Sequence, residues 1–324
     1  MRTWRIAELH AHTYASDGDM TPQELVLQAW RYGIQVLSVS DHNTRKSIAP
    51  ASAVAEKLGM IIVPAIEWTT FYGHLVITGG KSQTDWRTFN LDTADACVAE
   101  ADLAGDAVTI AHPFRTGWPL CAGGCMQYEL KTYAHVHAIE IFSRVRPYNS
   151  VTNMRALEWW QARIDEGWHL APVAGRDWHT PDGIDQTPDP YACTCLAMQG
   201  NTPADAVAAL RRGNAYCTVG IWADCKLCTA DAEYLPGDTV PSGCKAMLYV
   251  RITPWKQFAY VCQCDTVELR QKGECTRIDV QSAQNGIAVA VDAPLCVRVC
   301  GQIEGQQAIL SVLSPFYVQQ GENQ

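Results

Sequence analysis

The stretch ELHAHTYASDG, residues 8–18, concentrates side chains that bind cations near the start of the chain. His10 and His12 are two residues apart in a strand-like run, and a strand points alternate side chains to the same face. Asp17 follows after a short loop. Two adjacent imidazoles beside a carboxylate make a poor apolar core but a suitable cation site. The stretch therefore predicts part of a metal site.

Similar side chains recur where later apolar runs begin or end. A parallel α/β barrel builds its sites at the rim where the strands end. Six histidines and three carboxylates exceed the four to six ligands, roughly, that one ion takes. The pattern predicts two or three ions with a bridging carboxylate. These residues are Asp41 and His42 in SDHNT, Glu67 in VPAIEW, His74 in GHLVITG, His112 in AHPF, and Asp177 and His179 in GRDWHT, together with His10, His12 and Asp17; Asp41 is additional to the nine counted ligands.

The donor types indicate the metal and the chemistry. Imidazole and carboxylate ligands suit Mn, Fe or Zn, and the absence of thiolates from this set argues against a structural zinc site. A water that bridges two such ions loses its proton near neutral pH and becomes a nucleophile, while the ions stabilise charge on the attacking and leaving oxygens. The sequence thus predicts two or three divalent ions as cofactors and hydrolysis of a phosphoester through a metal-bridging hydroxide. Any one of these histidines alone would more simply be a hydrogen-bonded structural residue.

The elements that must position these residues follow from the apolar periodicity. From residue 4 to about 220, short apolar runs alternate with helical patterns, which predicts an α/β domain with a parallel sheet curled into a barrel. Thr21, Pro22 and Glu24 mark one helix start by a capping box with proline at the first position. After residue 220 the helical period vanishes, and short strands separated by turn residues predict a small antiparallel β-sandwich. We place the domains at 1–222 and 223–324.

Composition limits the compartment and the partners. The net charge of −9 argues against a surface that coats nucleic acid or binds an anionic membrane. No apolar run approaches the roughly 20 residues of a membrane span, and no secretory signal is visible, so a cytoplasmic location is expected. Most of the 14 cysteines should then be reduced core residues. Cys225-x-x-Cys228 and Cys262-x-Cys264 leave a structural zinc as the less favoured alternative.

Four motifs, HAHTYASDG, SDHNT, AHPF and GRDWHT, resemble those of the PHP (polymerase and histidinol phosphatase) superfamily over about residues 4–220. The resemblance implies a distorted (β/α)7 barrel with a trinuclear metal centre at the strand C-termini. It assigns His10, His12, Glu67 and Asp177 to the first ion, bridging Glu67 with His74 and His112 to the second, and Asp17, His42 and His179 to the third. Asp177, His179 and Glu67 are the residues that we expect to act in catalysis.

The resemblance also suggests two supporting residues and a branch of the family. Asp41 is expected to orient a ligand histidine from outside the ligand set, and Glu140 lies on a strand that ends near the site, with buried ion pairing an equal alternative. The second domain is similar to the β-sandwich of CehA/McbA-like members, which include hydrolases of non-phosphate esters.

A phosphate substrate would need fixed cations beside the metals, and arginine offers bidentate geometry. Arg115, three residues after His112, is the first candidate, followed by Arg144, Arg176 and Lys81. Some of these would simply be solvated surface cations.

Three functions remain open at this stage. The leading prediction is a metal-dependent phosphoesterase that hydrolyses a small phosphate mono- or diester. A carboxylic-ester, carbamate or amide hydrolase would use the same hydroxide on carbon. A non-catalytic binding protein braced by metals is the third. The negative net charge makes a nucleic-acid substrate unfavourable, because it repels a polyanion. The sequence does not predict an oligomeric state.

Overall fold

A computed structural model describes residues 1–116, 124–182, 189–255 and 262–319. The fold is mixed α/β, and the described residues form one large sheet, a four-stranded antiparallel sheet and a two-stranded parallel one. In the first part of the chain the order of elements is β1 (Thr3–Ala11), α1 (Pro22–Arg31), β2 (Val36–Val39), α2 (Ile48–Leu58), β3 (Ile61–Thr70), β4 (Gly73–Thr78), α3 (Ala94–Leu103), β5 (Ala107–Ile110), β6 (Ala138–Ser143), α4 (Val151–Asp165), β7 (Ala171–Gly175), β8 (Cys193–Met198), α5 (Pro203–Arg211) and β9 (Ala215–Thr218).

The second part is almost entirely β-structure. Its elements are β10 (Ile221–Cys228), β11 (Glu233–Tyr234), β12 (Thr239–Val240), β13 (Cys244–Pro254), β14 (Cys262–Gln271), β15 (Glu274–Asp279), α6 (Val280–Asn285), β16 (Ile287–Val291), β17 (Cys296–Ile303), β18 (Gln306–Leu313) and β19 (Tyr317–Val318). Among the described residues, no helix is long and apolar enough to cross a membrane.

The large sheet has the order β15-β14-β17-β18-β9-β8-β1-β2-β3-β4-β5-β6-β7. Strands β1, β2 and β3 are parallel, as are β5, β6 and β7. The expected parallel sheet is interrupted by β4, which is antiparallel to both β3 and β5, and by β8, which is antiparallel to β1. Only Phe71 and Tyr72 separate β3 from β4, and a parallel connection needs a dozen residues or more, so this pair must form a hairpin.

The segment that follows β7, the last of the parallel strands, lies beside the end of β1, the first of them. His12 N donates to Trp178 O at 2.9 Å, and Trp178 N donates to His10 O at 3.1 Å, so the segment after β7 pairs with the end of β1. The carboxyl ends of β1 and β7 are therefore adjacent.

The helices follow the sequence signals. Thr21 accepts from Glu24 N, and the Glu24 carboxylate accepts from Thr21 N at 2.8 Å, so the capping box at the start of α1 is confirmed. Leu25, Val26 and Ala29 are the buried face of α1, and they fix the helix against the sheet.

Most of the C-terminal strands are antiparallel, with a second sheet of order β11-β10-β13-β16, whereas β12 and β19 pair in parallel. They are also continuous with the first part of the chain, because β18 pairs with β9. Cys225 and Cys228 lie on β10, whereas Cys262 and Cys264 lie on β14 of the other sheet. No cysteine among the described residues belongs to a group that could hold a metal, which leaves the alternative of a structural zinc without support.

Candidate metal centre

The end of β1 carries three polar side chains on one face. Glu8, His10 and His12 alternate along the strand and are all buried. The other predicted ligands come from the same end of the sheet: His42 follows β2, Glu67 lies on β3, His74 lies on β4 and His112 follows β5. Because parallel strands present their carboxyl ends at one rim, the fold collects residues that are far apart in sequence.

The first group consists of His10, His12, Glu67 and Asp177. Nε2 of His10 lies 3.2 Å from Glu67 Oε2 and 3.3 Å from Asp177 Oδ1. Nε2 of His12 lies 3.3 Å and 3.0 Å from the same two oxygens. Two imidazole nitrogens and two carboxylate oxygens therefore surround one point at the spacing of ligands around a single ion.

Glu67 turns its other oxygen toward a second group. Nδ1 of His74 lies 2.9 Å and Nε2 of His112 lies 3.2 Å from Glu67 Oε1. Glu67 is fully buried between the two groups. A carboxylate with each oxygen facing a different set of nitrogens has the geometry of a bridging ligand.

The third group lies nearer the surface. Asp17 Oδ1 is 3.4 Å from His42 Nε2 and 3.2 Å from His179 Nε2. His12 joins this group as well, with Nδ1 at 4.0 Å from Asp17, which sequence reasoning did not anticipate. The three sets predicted from the motifs are thus brought together in three adjacent groups, with His12 and Glu67 each belonging to two.

Hydrogen bonds fix several of the imidazole rings. Nδ1 of His10 donates to Glu140 Oε2 at 3.0 Å, and Nδ1 of His179 donates to the Asp177 carbonyl at 2.8 Å. Nδ1 of His112 faces the carbonyl of Gly124 at 3.2 Å. An acceptor at Nδ1 keeps the proton there and leaves the Nε2 lone pair for a metal.

The backbone at two ligands is in an uncommon conformation. His112 has a φ of 25° and Asp177 a φ of 50°, in the left-handed region that non-glycine residues rarely adopt. Such residues persist only where their surroundings over-determine them. Gly175 shows how closely the site is packed, since a Cβ there would lie 2.5 Å from His10 Cβ.

The donor set fits bound divalent ions. Nε2 of His10, His12 and His74, Nδ1 of His12 and Oε2 of Glu67 are buried without a hydrogen-bond partner among the described residues. A buried polar atom without a partner costs about 1–3 kcal/mol. Five such atoms converging on one rim are explained by ligation, and imidazole with carboxylate suits Zn, Mn or Fe.

The pKa values of two buried carboxylates also favour bound cations. Burial raises the pKa of Glu67, yet the neighbouring His10, His112 and His42 hold the pKa well below its usual range. Burial likewise opposes the ionisation of Asp177, while His10 and Arg115 keep its pKa well below the usual value. Ionised carboxylates in a buried site require compensating positive charge.

Arg115 supplies part of that charge. Its NH1 donates to Asp177 Oδ2, and its NH2 donates to Ser143 Oγ at 2.5 Å. A cavity of about 230 Å³ opens beside it, with His112, Ser143 and Arg144 in its wall. Two of the four predicted substrate-binding cations therefore lie next to the metal ligands.

The other two cations lie elsewhere. The guanidinium of Arg176 pairs with Asp182 and stacks on Trp178 at 4.3 Å, so its charge is already compensated. Lys81 follows β4, and its backbone N–H donates to Asp106 at 2.9 Å. Asp106 precedes β5, whereas His112 follows it, so Lys81 lies at the opposite end of that strand. The antiparallel β4, unexpected from the sequence, sends Lys81 there.

The two predicted supporting carboxylates have different contacts. Glu140 accepts from His10, as described above. Asp41 was expected to orient a ligand histidine, but its carboxylate accepts from Thr13 and Ser16. Asp41 thus holds the loop between His12 and Asp17. Glu8 was missed: its Oε1 accepts from His10 N and Arg176 N, both at 2.9 Å, and so ties β1 to β7. The alternation of Glu8 with His10 and His12 was the available signal.

Comparison with known proteins gives short sequence matches and a likeness of fold that extends over nearly the whole chain. No family model matches the chain. A 5'-3' exoribonuclease of Haemophilus influenzae is 38% identical over 63 residues, 19% of this chain and 23% of that protein. The 5'-3' exoribonuclease Rnm of Escherichia coli is 38% identical over 69 residues, 21% of this chain and 24% of that protein. The chain thus spans about a quarter of the length of these relatives.

The likeness of fold extends over nearly the whole chain. A two-domain protein of Bacteroides vulgatus, described as containing a PHP-like metal-dependent phosphoesterase, superposes with a TM-score of 0.55 at 14% identity. The match covers 97% of this chain and 95% of that protein. This identity is too low to transfer an activity, and the superposition shows a similarity of fold alone.

Proposed function

We propose that this chain, a PHP-superfamily protein by its fold and its ligand motifs, is a metal-dependent hydrolase of phosphoric esters. The observation that carries the proposal is the bridging geometry of Glu67, with one oxygen toward His10 and His12 and the other toward His74 and His112. Bridged ions suit the displacement of one oxygen by another at phosphorus.

We assign three ion positions to the three groups. His10, His12, Glu67 and Asp177 would hold the first ion, Glu67, His74 and His112 the second, and Asp17, His42 and His179, with His12 adjacent, the third. Bound divalent ions supply a water of lowered pKa as nucleophile and stabilise charge on the phosphoryl oxygens. Trinuclear occupancy and the choice among Mn, Fe and Zn are parts of this proposal. The strand closure between β1 and β7 supports the further proposal of a distorted (β/α)7 barrel.

The chain's own residues would orient the substrate. Arg115 stands between Asp177 and Ser143, at the edge of the ligand groups, where its guanidinium can turn one N–H toward a phosphoryl oxygen. Asp177 fixes the guanidinium from one side while facing His10 and His12 from the other. Asp177, His179 and Glu67 thus act by holding the reacting groups in place.

A phosphodiester in nucleic acid is the second candidate substrate. The exoribonuclease relatives favour it, although their matches cover only a fifth of this chain. The net charge of −9 favours a small phosphorylated molecule, since an acidic surface repels a polyanion.

The test combines elemental analysis with a substrate panel. Protein purified from cells grown separately with Mn, Fe or Zn would be assayed on 4-nitrophenyl phosphate, bis(4-nitrophenyl) phosphate, 4-nitrophenyl acetate and a short RNA. We expect two to three ions per chain, turnover of at least one phosphate ester, and loss of turnover in His112→Ala. Turnover of the acetate alone would favour the carbon-ester alternative, and bound metal without any turnover would favour a binding protein.

A further inference from the structure

The cavity beside the metal ligands has a lining suited to an anion. It is lined by His112 and Arg115, by Arg144 after β6, and by Ser150 and Thr152 at the start of α4. None of the described residues that line it is acidic. A substrate whose scissile phosphate lies at the metals would extend its other end into this space.

The segment that presents Arg144 has a strained backbone. We call residues 144–150, between β6 and α4, the β6–α4 loop. Arg144 has a φ of 65° and Arg146 a φ of 47°, both in the left-handed region. A non-glycine residue there costs of order 1 kcal/mol or more, so contacts from outside the loop must hold it.

Some of these contacts come from the first part of the chain. Arg146 N donates to the Pro190 carbonyl at 2.5 Å. Nδ2 of Asn153, on α4, donates to the carbonyls of Ser143 at 3.0 Å and Pro147 at 3.2 Å. These bonds fix the two ends of the loop.

The remaining contact comes from the C-terminal part of the chain. Glu304 lies at the turn between β17 and β18, and its Oε2 accepts from Tyr148 Oη at 2.8 Å and from Arg146 Nε at 3.3 Å. Tyr148 is the buried member of this pair, whereas the Glu304 side chain keeps 38% of its surface exposed. The opposite side of Arg146 is bound by Asp189 at 2.7 Å.

We propose that the β6–α4 loop is the specificity element of the enzyme: Arg144 binds a second anionic group of the substrate, distinct from the scissile phosphate, and Glu304 of the C-terminal hairpin holds the loop in the position that makes this contact possible. The inference rests on the proposed function. It gives the C-terminal strands a part in substrate selection, with Glu304 as a positioning residue that acts through Tyr148 and Arg146.

The test uses two phosphonates that differ in one group. In 3-phosphonopropionate a carboxylate replaces the terminal methyl of propylphosphonate, so the ratio of their affinities reports the second anion alone. Titration calorimetry on metal-loaded protein is expected to show a preference for the carboxylate of roughly tenfold, the scale of a charge-assisted contact. Arg144→Asn, chosen because asparagine tolerates a left-handed φ, is expected to remove the preference.

The positioning role has its own variants and control. Glu304→Ala and Tyr148→Phe are expected to reduce the preference about threefold or more while leaving the affinity for propylphosphonate unchanged. Glu304→Gln, which keeps an acceptor for Tyr148, should restore part of it. Glu233→Ala is the matched control, because Glu233 is a C-terminal carboxylate paired with Lys226 at 2.7 Å on β10.

The outcomes separate this inference from the proposed function. A carboxylate preference that survives in Arg144→Asn would overturn the role of Arg144, because another group would then be binding the carboxylate. An unchanged preference in Glu304→Ala would overturn the role of the C-terminal hairpin. Hydrolysis of 4-nitrophenyl phosphate, measured on the same samples, tests the proposed function independently, because the titration requires no turnover.

Discussion

Replacement of Glu140 by glutamine tests whether the three groups of candidate ligands bind metal. Oε2 of Glu140 accepts from His10 Nδ1 at 3.0 Å and from His112 N at 3.2 Å, and so contacts two predicted ligand residues. Oε1 has no hydrogen-bond partner among the described residues. Glutamine can keep its oxygen on the two donors and place its amide where Oε1 was, so the fold should survive.

The change removes the negative charge that faces the His10 imidazole. A carboxylate on the far nitrogen makes the ligating nitrogen a better donor, and losing such a partner costs about 10–100-fold in metal affinity. That range corresponds to about 1.4–2.8 kcal/mol at about 1.4 kcal/mol per tenfold. We expect the weakening in the first ion position, because His10 contributes to that group alone.

The assay is competition with a chromophoric chelator, and Glu8→Gln is the control. Glu8 is also a buried carboxylate with one unpartnered oxygen, but its other oxygen accepts only from the backbone of His10 and Arg176. Glu8→Gln should therefore change metal affinity by less than about threefold, since no imidazole loses its partner. Equal affinities for Glu140→Gln and the unsubstituted protein, with both folded by circular dichroism, would refute the assignment of His10 as a ligand.

Three further outcomes are expected. Arg115→Met should retain its bound metal by elemental analysis and lose roughly 10–100-fold in kcat/KM on a phosphate ester, because one charge-assisted contact to the phosphoryl group is gone. Gly175→Ala should lower the free energy of unfolding by about 1–3 kcal/mol in chemical denaturation, because its Cβ would overlap His10. Metal affinity should rise from pH 6 to pH 8 with proton release. Burial lowers the pKa of His42, but Asp17 and Glu67 raise it to about 10, so binding must displace that proton; calorimetry in buffers of different ionisation enthalpy measures it.

The three groups of candidate ligands could be anticipated from the sequence because their residue types are distinctive and they recur where apolar runs begin or end. His10 and His12 are two residues apart at the end of the first such run. The long-range assembly then follows from the rule that parallel strands end at one rim. Glu140 was also expected near the site, and it lies on β6 with Oε2 at 3.0 Å from His10 Nδ1.

The substrate-binding cations were harder to predict, because arginine and lysine have long side chains with several available partners. Arg176 immediately precedes Asp177, yet Asp182 and the Trp178 ring bind its guanidinium. The placement of Lys81 depended on the direction of β4, and the two-residue turn before Gly73 was the signal for a hairpin. Sequence adjacency to a ligand thus predicts where the backbone of an arginine or lysine lies, but it does not predict where the charged end of that long side chain lies.

The candidate ligands also come from the first and the last of the parallel strands. His10 lies on β1 and His12 directly follows it, while Asp177 and His179 follow β7, and backbone bonds between His10, His12 and Trp178 pair these segments. An ion held by both segments would add coordination bonds where the two segments meet. The same contacts would fix the left-handed φ of Asp177, which the local sequence disfavours. Metal binding and closure of the sheet are therefore expected to be energetically coupled, since each supplies the geometry that the other requires.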